Sequence, residues 1–484
     1  MNIKYRYLLS ILAALIVISS VTVISVLLIS KENYAKMQYD FRFEISNETR
    51  LMVYEKMITE YRRRLSDGDN NKTDNSYQKR PETQHIDCGR VLRSDKEYIK
   101  SLSGAHRIPL IEDPHLNMSC EAVRFRIVTD SGALKNLKSG VAFARIVYRD
   151  YEFIEKTVQM SYHANNLFCF AIDNKAPPTF RKRIQKLGEC FENVHVLPVL
   201  HSYTSSGHNT NLAHYNCMEA ALKFPNWNYF IVQENHDIVI KSIYELERIF
   251  EIMGGANDVG IHPLIKGRVL EWFKLDPKSL KLFRNETLIS KSVLNTPLDI
   301  VTKYKHASMS RASVDWMVNT VNVSIFIDQF NHTSYAGDEQ WLPSFQANSQ
   351  LGMPGHFVHE CLKKGFPTDQ VTRMTKWFEG RISECGTGKI RHNICIMGIE
   401  DLPSAAKMPN IMFNKVIPSF DYSIVECTAE LLHNRTFLGQ TDRELDEKYY
   451  GNMINVLYHK HHLEPGYRLN CTPSYDVWEY KPLE

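Results

Sequence analysis

Acidic residues stand just past apolar runs at several points in this 484-residue sequence. Asp173 follows LFCFAI (Leu167–Ile172). Glu234, His236 and Asp237 follow YFIV (Tyr229–Val232). Asp338-Glu339 lies in AGDEQW (Ala336–Trp341), ahead of another apolar stretch. A carboxylate so placed beside a cleft can take a proton from an attacking hydroxyl, as a general base. It can equally cap a helix or complement its dipole. Taken one at a time, each of these residues reads first as a cap or turn residue. His459, His461 and His462 cluster in YHKHHLE, but no partner at ligand spacing accompanies them. They read as a solvated basic segment and not as a metal site. There is no Walker motif, no GxGxxG after a strand, no HExxH and no GxSxG. The formal net charge is only +3, with no long basic block, which argues against a nucleic-acid partner.

The elements that must position these groups alternate. VAFARIV (Val141–Val147), LFCFAI, VHVLPVL (Val194–Leu200) and YFIV are candidate buried strands. A helix with Ile154, Val158 and Tyr162 on one face follows the first. SIYELERIFEIM (Ser242–Met253) reads as a helix opened by a capping box of Ser242 and Glu245. Strands alternating with helices predict an α/β fold, with a mostly parallel sheet flanked by helices. Such sheets bind ligands at the carboxyl ends of their strands.

Leu8–Ser30 is a run of 23 residues without a charge. As a helix it would reach roughly 35 Å, enough to span a bilayer. It is longer than the apolar core of a cleaved signal peptide and ends in no clear small-residue site. Lys4 and Arg6 precede it, so the N-terminus is expected in the cytoplasm. The expected order is a cytoplasmic tail (1–7), a transmembrane signal anchor (8–30) and a stem (31–85). A catalytic-size domain (86–435) and a C-terminal extension (436–484) follow. Within the stem, Ser66–Gln84 is polar and reads as a linker. All ten cysteines follow the anchor, none in a CxxC pair, which suits disulfides in an oxidising compartment. Asn-x-Ser/Thr sequons begin at Asn47, Asn71, Asn117, Asn285, Asn322, Asn331, Asn434 and Asn470, all on the same side.

Several stretches occur in a telling order: IDCGRVL, FCFAID, GECFENVHV, YNCMEAALKFPNWNYFIVQENHDIVIKS, SMSRASVDWM, GDEQWLPSFQ, TKWFEGRISECG and ICIMGIEDLPSAAKMPNIMFNKVIPSFDYSIVEC. With the anchor and cysteines, the chain resembles the core-2/I-branching β-1,6-N-acetylglucosaminyltransferases (glycosyltransferase family 14), as a divergent member, from about Cys88 to His433. The resemblance implies a GT-A-like fold, a Golgi type II membrane protein, and an inverting enzyme. It implies transfer of N-acetylglucosamine from UDP-N-acetylglucosamine to a hydroxyl of an acceptor glycan or glycoprotein. No metal is required in that family, and QENHD (Gln233–Asp237) stands where a metal-binding DxD would be.

By the same resemblance Glu339 is the catalytic base, and its carboxylate is expected to be accessible from the cleft and not buried in a salt bridge. Asp173 contacts the nucleotide, and Lys415 neutralises the diphosphate. Trp377 belongs to the acceptor site. The second basic residue on the diphosphate corresponds to His392, or to Arg391 beside it. The implied disulfides are Cys88–Cys427, Cys120–Cys190, Cys169–Cys217 and Cys385–Cys395. Cys361 and Cys471 are left over for each other. Thr302-Lys303-Tyr304 replaces a small, Gly-containing segment and crowds the sugar pocket. The Trp377 region is two residues shorter than in the core-2 enzymes. Two alternatives follow: a xylosyltransferase-like enzyme using UDP-xylose, or an inactive binding protein on the same fold.

Overall fold

The computed structural model describes residues 77–128, 134–368, 370–378, 380, 385–439 and 442–472. Residues 1–76, with the expected anchor, most of the stem, Asn47 and Asn71, lie outside the described residues. Among the described residues no helix is long and apolar enough to cross a membrane.

The central sheet is built from β1 (Gly140–Val147), β2 (Leu167–Ile172), β3 (Val194–Val196), β4 (Trp227–Gln233) and β6 (Ser308–Ser310), in the order β3-β2-β1-β4-β6. The first four are parallel, and β6 is antiparallel to β4. All eight residues of β1 are buried, and they divide by the period of two. Val141, Phe143 and Val147 join one core cluster, while Ala142, Ala144 and Ile146 join another. Helices Tyr151–Met160, Pro178–Cys190, Ile243–Met253 and Ser423–His433 contribute to the first core, and Thr210–Ala221 and Ser324–Asn331 to the second. Burial on both faces explains why the strands read as continuous apolar runs.

The capping box of Ser242 and Glu245 forms with both hydrogen bonds. Two elements are shorter than the sequence suggests. β3 stops at Val196, just before Pro198, which has no N–H to give a ladder. The helix after β1 ends at Met160, so Tyr162 lies past it and packs on Phe191, with centroids 5.2 Å apart.

A second sheet joins β5 (Ile238–Val239), β10 (Met412–Asn414) and β7 (Arg373–Thr375), and β8 (Ile390–Arg391) pairs with β9 (Ile394–Cys395) as a hairpin. Its two-residue turn, His392-Asn393, has φ of 51° and 59°, as a primed turn requires.

Five disulfides close the described body: Cys88–Cys427, Cys120–Cys190, Cys169–Cys217, Cys361–Cys471 and Cys385–Cys395. Their Cα atoms are 5.2, 5.0, 5.8, 5.1 and 5.3 Å apart, all within bridging range. The four implied pairs are present, and the two leftover cysteines pair with each other.

Both ends of the described chain are woven into this body. Residues 77–85, read as the end of the stem, pack on it. Arg80 Nη1 is 2.6 Å from Glu152, and Thr83 Oγ1 donates to Glu426 at 2.7 Å. At the other end Tyr449 and Tyr450 enter the first core, and Tyr450 donates to the Pro409 carbonyl at 2.6 Å.

Candidate functional site

Because β1, β2 and β4 are parallel, their carboxyl ends share one edge. Tyr148-Arg149-Asp150, Asp173 and Glu234–Asp237 all emerge there. The Asp173 N–H donates to the Val147 carbonyl (3.0 Å), and its carboxylate accepts from the Lys175 N–H (2.9 Å). The next residue, Asn174, carries the loop 201–209: its N–H donates to the His201 carbonyl, 3.1 Å away. Burial, reinforced by Asp173, pushes the Tyr203 phenol in this loop up to about 12.

Of the residues after β4, two hold the fold together. His236 Nε2 lies 2.9 Å from Asp150 Oδ2. Asp237 is fully buried and accepts from Asn414 Nδ2 (2.8 Å) and Arg373 Nη1 (3.4 Å). These bonds dock β10 and β7 against the end of β4. They bring Lys415, next after β10, to the same edge, where the Val416 N–H donates to the His236 carbonyl at 3.2 Å.

Lys415 and Arg391 are electrostatic neighbours, and neither makes an ion pair among the described residues. Burial, with Arg391 and Arg373 nearby, lowers Lys415 to about 8. Partial desolvation and the two cations, Lys415 and Arg391, lower His392, whose side chain still reaches solvent in the hairpin turn. The Cys385–Cys395 disulfide ties this hairpin down, and Trp377 bridges to it at Ile394.

Glu339 ends a short 3-10 turn, Gly337–Glu339. Asp338 does not cap the following helix, Trp341–Ala347, whose N-cap is Gln340. Its carboxylate instead meets Lys305 Nζ at 2.6 Å and accepts from the Thr210 hydroxyl. Lys305 Nζ also lies 2.6 Å from Glu234 Oε1, so one ammonium joins the end of β4 to the Glu339 turn. Gly207, at φ +88°, lets the 201–209 loop pass; a Cβ there would come within 2.1 Å of Asp338 Oδ1.

The expectation that Glu339 is not held in a salt bridge is corrected. Its Oε2 is 3.2 Å from Arg268 Nη1, and the side chain is 26% exposed. The Ala336 carbonyl holds the same guanidinium nitrogen at 3.0 Å. A half-buried carboxylate next to Asp338 is favoured by a compensating cation, and Arg268 supplies one. Burial and Asp338 raise Glu339, while Arg268 and Lys305 oppose them. The net direction is upward.

The family model described as "Branch: Core-2/I-Branching enzyme" matches residues 141–406, more than half of the chain. The chain belongs to the core-2/I-branching enzyme family. Among its relatives is a "Beta-1,3-galactosyl-O-glycosyl-glycoprotein beta-1,6-N-acetylglucosaminyltransferase" of bovine herpesvirus 4 (strain LVR140), 23% identical over 384 residues, 75% of this chain and 85% of that protein. The protein so named with the suffix 3 from Ovis aries is 22% identical, with coverage of 75% and 85%. Its Homo sapiens counterpart is 21% identical over 390 residues, with 75% and 86% covered.

Within this family member the segment Thr302-Lys303-Tyr304 has a definite position. Tyr304 stacks on Trp377, with centroids 5.3 Å apart and planes inclined by 18°. Tyr304, expected in a wall of the sugar pocket, and Trp377, expected in the acceptor site, therefore form one two-ring unit, flanked by Lys303 (4.8 Å from the Tyr304 centroid). Sequence reasoning missed three participants: Lys305, Arg268 and the Tyr304 stack. A lysine in TKYKHAS and an arginine in IKGRVL have no spacing that marks them.

The histidine trio, expected as a solvated segment, is instead partly buried and engaged: His459 meets the Gly254 carbonyl (3.2 Å), His461 meets Glu464 (2.8 Å), and His462 stacks on Tyr458. Among the described residues no group of three or more His, Cys, Asp or Glu is arranged to hold a metal ion. Asn117, Asn285 and Asn470 are exposed; Asn322, Asn331 and Asn434 are partly buried, and Asn331 Oδ1 already accepts from the Asn209 N–H (2.9 Å).

Proposed function

We propose that this enzyme transfers N-acetylglucosamine from UDP-N-acetylglucosamine to a hydroxyl of an acceptor glycan or glycoprotein, in β-1,6 linkage and with inversion. It is an acetylglucosaminyltransferase. One observation carries the reading: a raised, partly exposed carboxylate and a pair of cations without ion-pair partners among the described residues stand at the same sheet edge. Glu339 takes the proton of the acceptor hydroxyl as its oxygen attacks the anomeric carbon. The bond from that carbon to the diphosphate oxygen breaks, and UDP leaves with the electron pair. Lys415 and Arg391, or His392 beside it, stabilise the charge that develops there. Asp173 holds the nucleotide, and Trp377 offers a flat apolar face to the acceptor.

The names of the relatives support the donor and the linkage. The five disulfides support a lumenal domain in an oxidising compartment. With the N-terminal apolar run, they suit a type II Golgi membrane protein, with the exposed sequons Asn117, Asn285 and Asn470 as glycosylation sites. No metal is needed in this scheme, because the two cations serve the diphosphate.

The Tyr304–Trp377 stack favours one second reading, a smaller donor such as UDP-xylose. Incubating the purified full-length chain with UDP-N-acetylglucosamine, UDP-xylose, UDP-galactose and UDP-glucose, with and without EDTA, tests both. Hydrolysis or transfer from UDP-N-acetylglucosamine, unchanged by EDTA, is expected. Turnover of UDP-xylose alone would select the second reading, and strict dependence on manganese would overturn the roles of Lys415 and Arg391.

A further inference from the structure

Two carboxylates converge beside the proposed base, and a lysine from a third part of the chain joins them. Glu234 ends β4, Asp338 precedes Glu339, and Lys305 lies between Glu234 and Asp338, 2.6 Å from each. The side chains of Lys305 and Asp338 are only 12% and 5% exposed, whereas Glu234 is 28% exposed. Asp338 also accepts from the Thr210 hydroxyl, and the backbone at Gly207 passes close beside it.

Adjacent carboxylates in a buried site do not both ionise readily unless a cation compensates them. Lys305 is that cation. Burial alone would lower it, but Asp338 and Glu234 outweigh burial and keep it charged. In return, Glu234 stays below its usual range although burial would raise it.

Resting on the reading of Glu339 as base, we propose that Lys305 is a positioning residue. It clamps the Glu339 turn to the end of β4 and compensates Asp338 and Glu234, so that Glu339 is the carboxylate left to exchange a proton with the acceptor. The charged groups around Glu339 are few. Asp338 faces it from its own turn, Arg268 from the loop after β5's helix, and Lys305 from the segment before β6. The Lys303 N–H binds the Glu339 carbonyl at 3.1 Å, while its ammonium lies 2.8 Å from His262. His214 also faces Lys305; burial and Lys305 hold it down at about 4, so it is neutral at working pH.

Two variants of the full chain move the base in opposite directions. Lys305→Met removes a cation that lowers Glu339 and leaves Asp338 uncompensated. The acid limb of kcat/KM should move up by about one pH unit, and kcat just above the wild-type limb should fall up to about tenfold. Asp338→Asn removes the carboxylate that raises Glu339 and leaves Lys305 in place, so the limb should move down. Lys305→Arg should keep the limb near its wild-type position. UDP inhibition should stay within about twofold throughout. A merely structural lysine would lower kcat in both variants with the limb unmoved, and that outcome overturns the proposal. If Lys305→Met does not fold, Asp338→Asn alone decides by the direction of its shift. The underlying reading fails separately: an acid limb that survives in Glu339→Gln would show that the limb belongs to another group.

Discussion

Arg268 Nη1 stands 3.2 Å from Glu339 Oε2 and also binds the Ala336 carbonyl. The guanidinium thus holds the proposed base from one side while the carboxylate remains partly open on the other. Removing it takes away the larger of the two cationic influences on Glu339. In Arg268→Gln the acid limb of kcat/KM should therefore move to higher pH, and turnover on the wild-type limb should fall. A pH–rate profile measures this; a limb that moves down would contradict the pairing.

Lys415 gives a second pH dependence, on binding. In the free enzyme it is held at about 8 by burial and by Arg391 and Arg373. A diphosphate favours the protonated form, so bound UDP raises this pKa. Affinity for UDP should be full below about 8 and should fall above it, by at most about tenfold per pH unit for one proton. Calorimetry in buffers of different ionisation enthalpy should detect uptake of a proton on binding near that pH. In Lys415→Met, UDP should bind more weakly, without this pH dependence.

The C-terminal residues should matter for stability. Cys361–Cys471 closes a separation of 110 residues and ties the end of the described chain beside Phe357 and Tyr458. Removing a native disulfide typically costs about 2–5 kcal/mol. Cys361→Ser/Cys471→Ser should lower the unfolding free energy measured in urea by that order, yet leave the KM for the donor sugar unchanged in the folded fraction. Loss of donor binding in that fraction would place this region in the site.

Much of this was legible in the sequence, for physical reasons that differ from element to element. β1, β2 and β4 are buried on both faces, so their apolar runs announce them. Helix Ile243–Met253 carries its start signal in Ser242 and Glu245. The four implied disulfides and the site residues came through resemblance, since spacing alone fixes no connectivity. The second sheet was missed because its strands are two or three residues long and carry no period. The partners of the carboxylates were missed for another reason. Lys305 meets Glu234 and Asp338, and Arg268 meets Glu339, only after the chain returns from distant segments. Neither pairing leaves a local pattern. The expectation that Glu339 is not held in a salt bridge failed there: sequence marks a carboxylate but not the charge that folding brings to it.

The most direct test of the mechanism is Glu339→Gln. The amide keeps the shape of the side chain and cannot accept the acceptor's proton. General-base contributions are typically about 10² to 10⁴ in rate. With UDP-N-acetylglucosamine and a productive acceptor, kcat should fall by that factor, while the dissociation constant for UDP stays within about twofold. Wild-type turnover by Glu339→Gln on the same acceptor would contradict the assignment of the base.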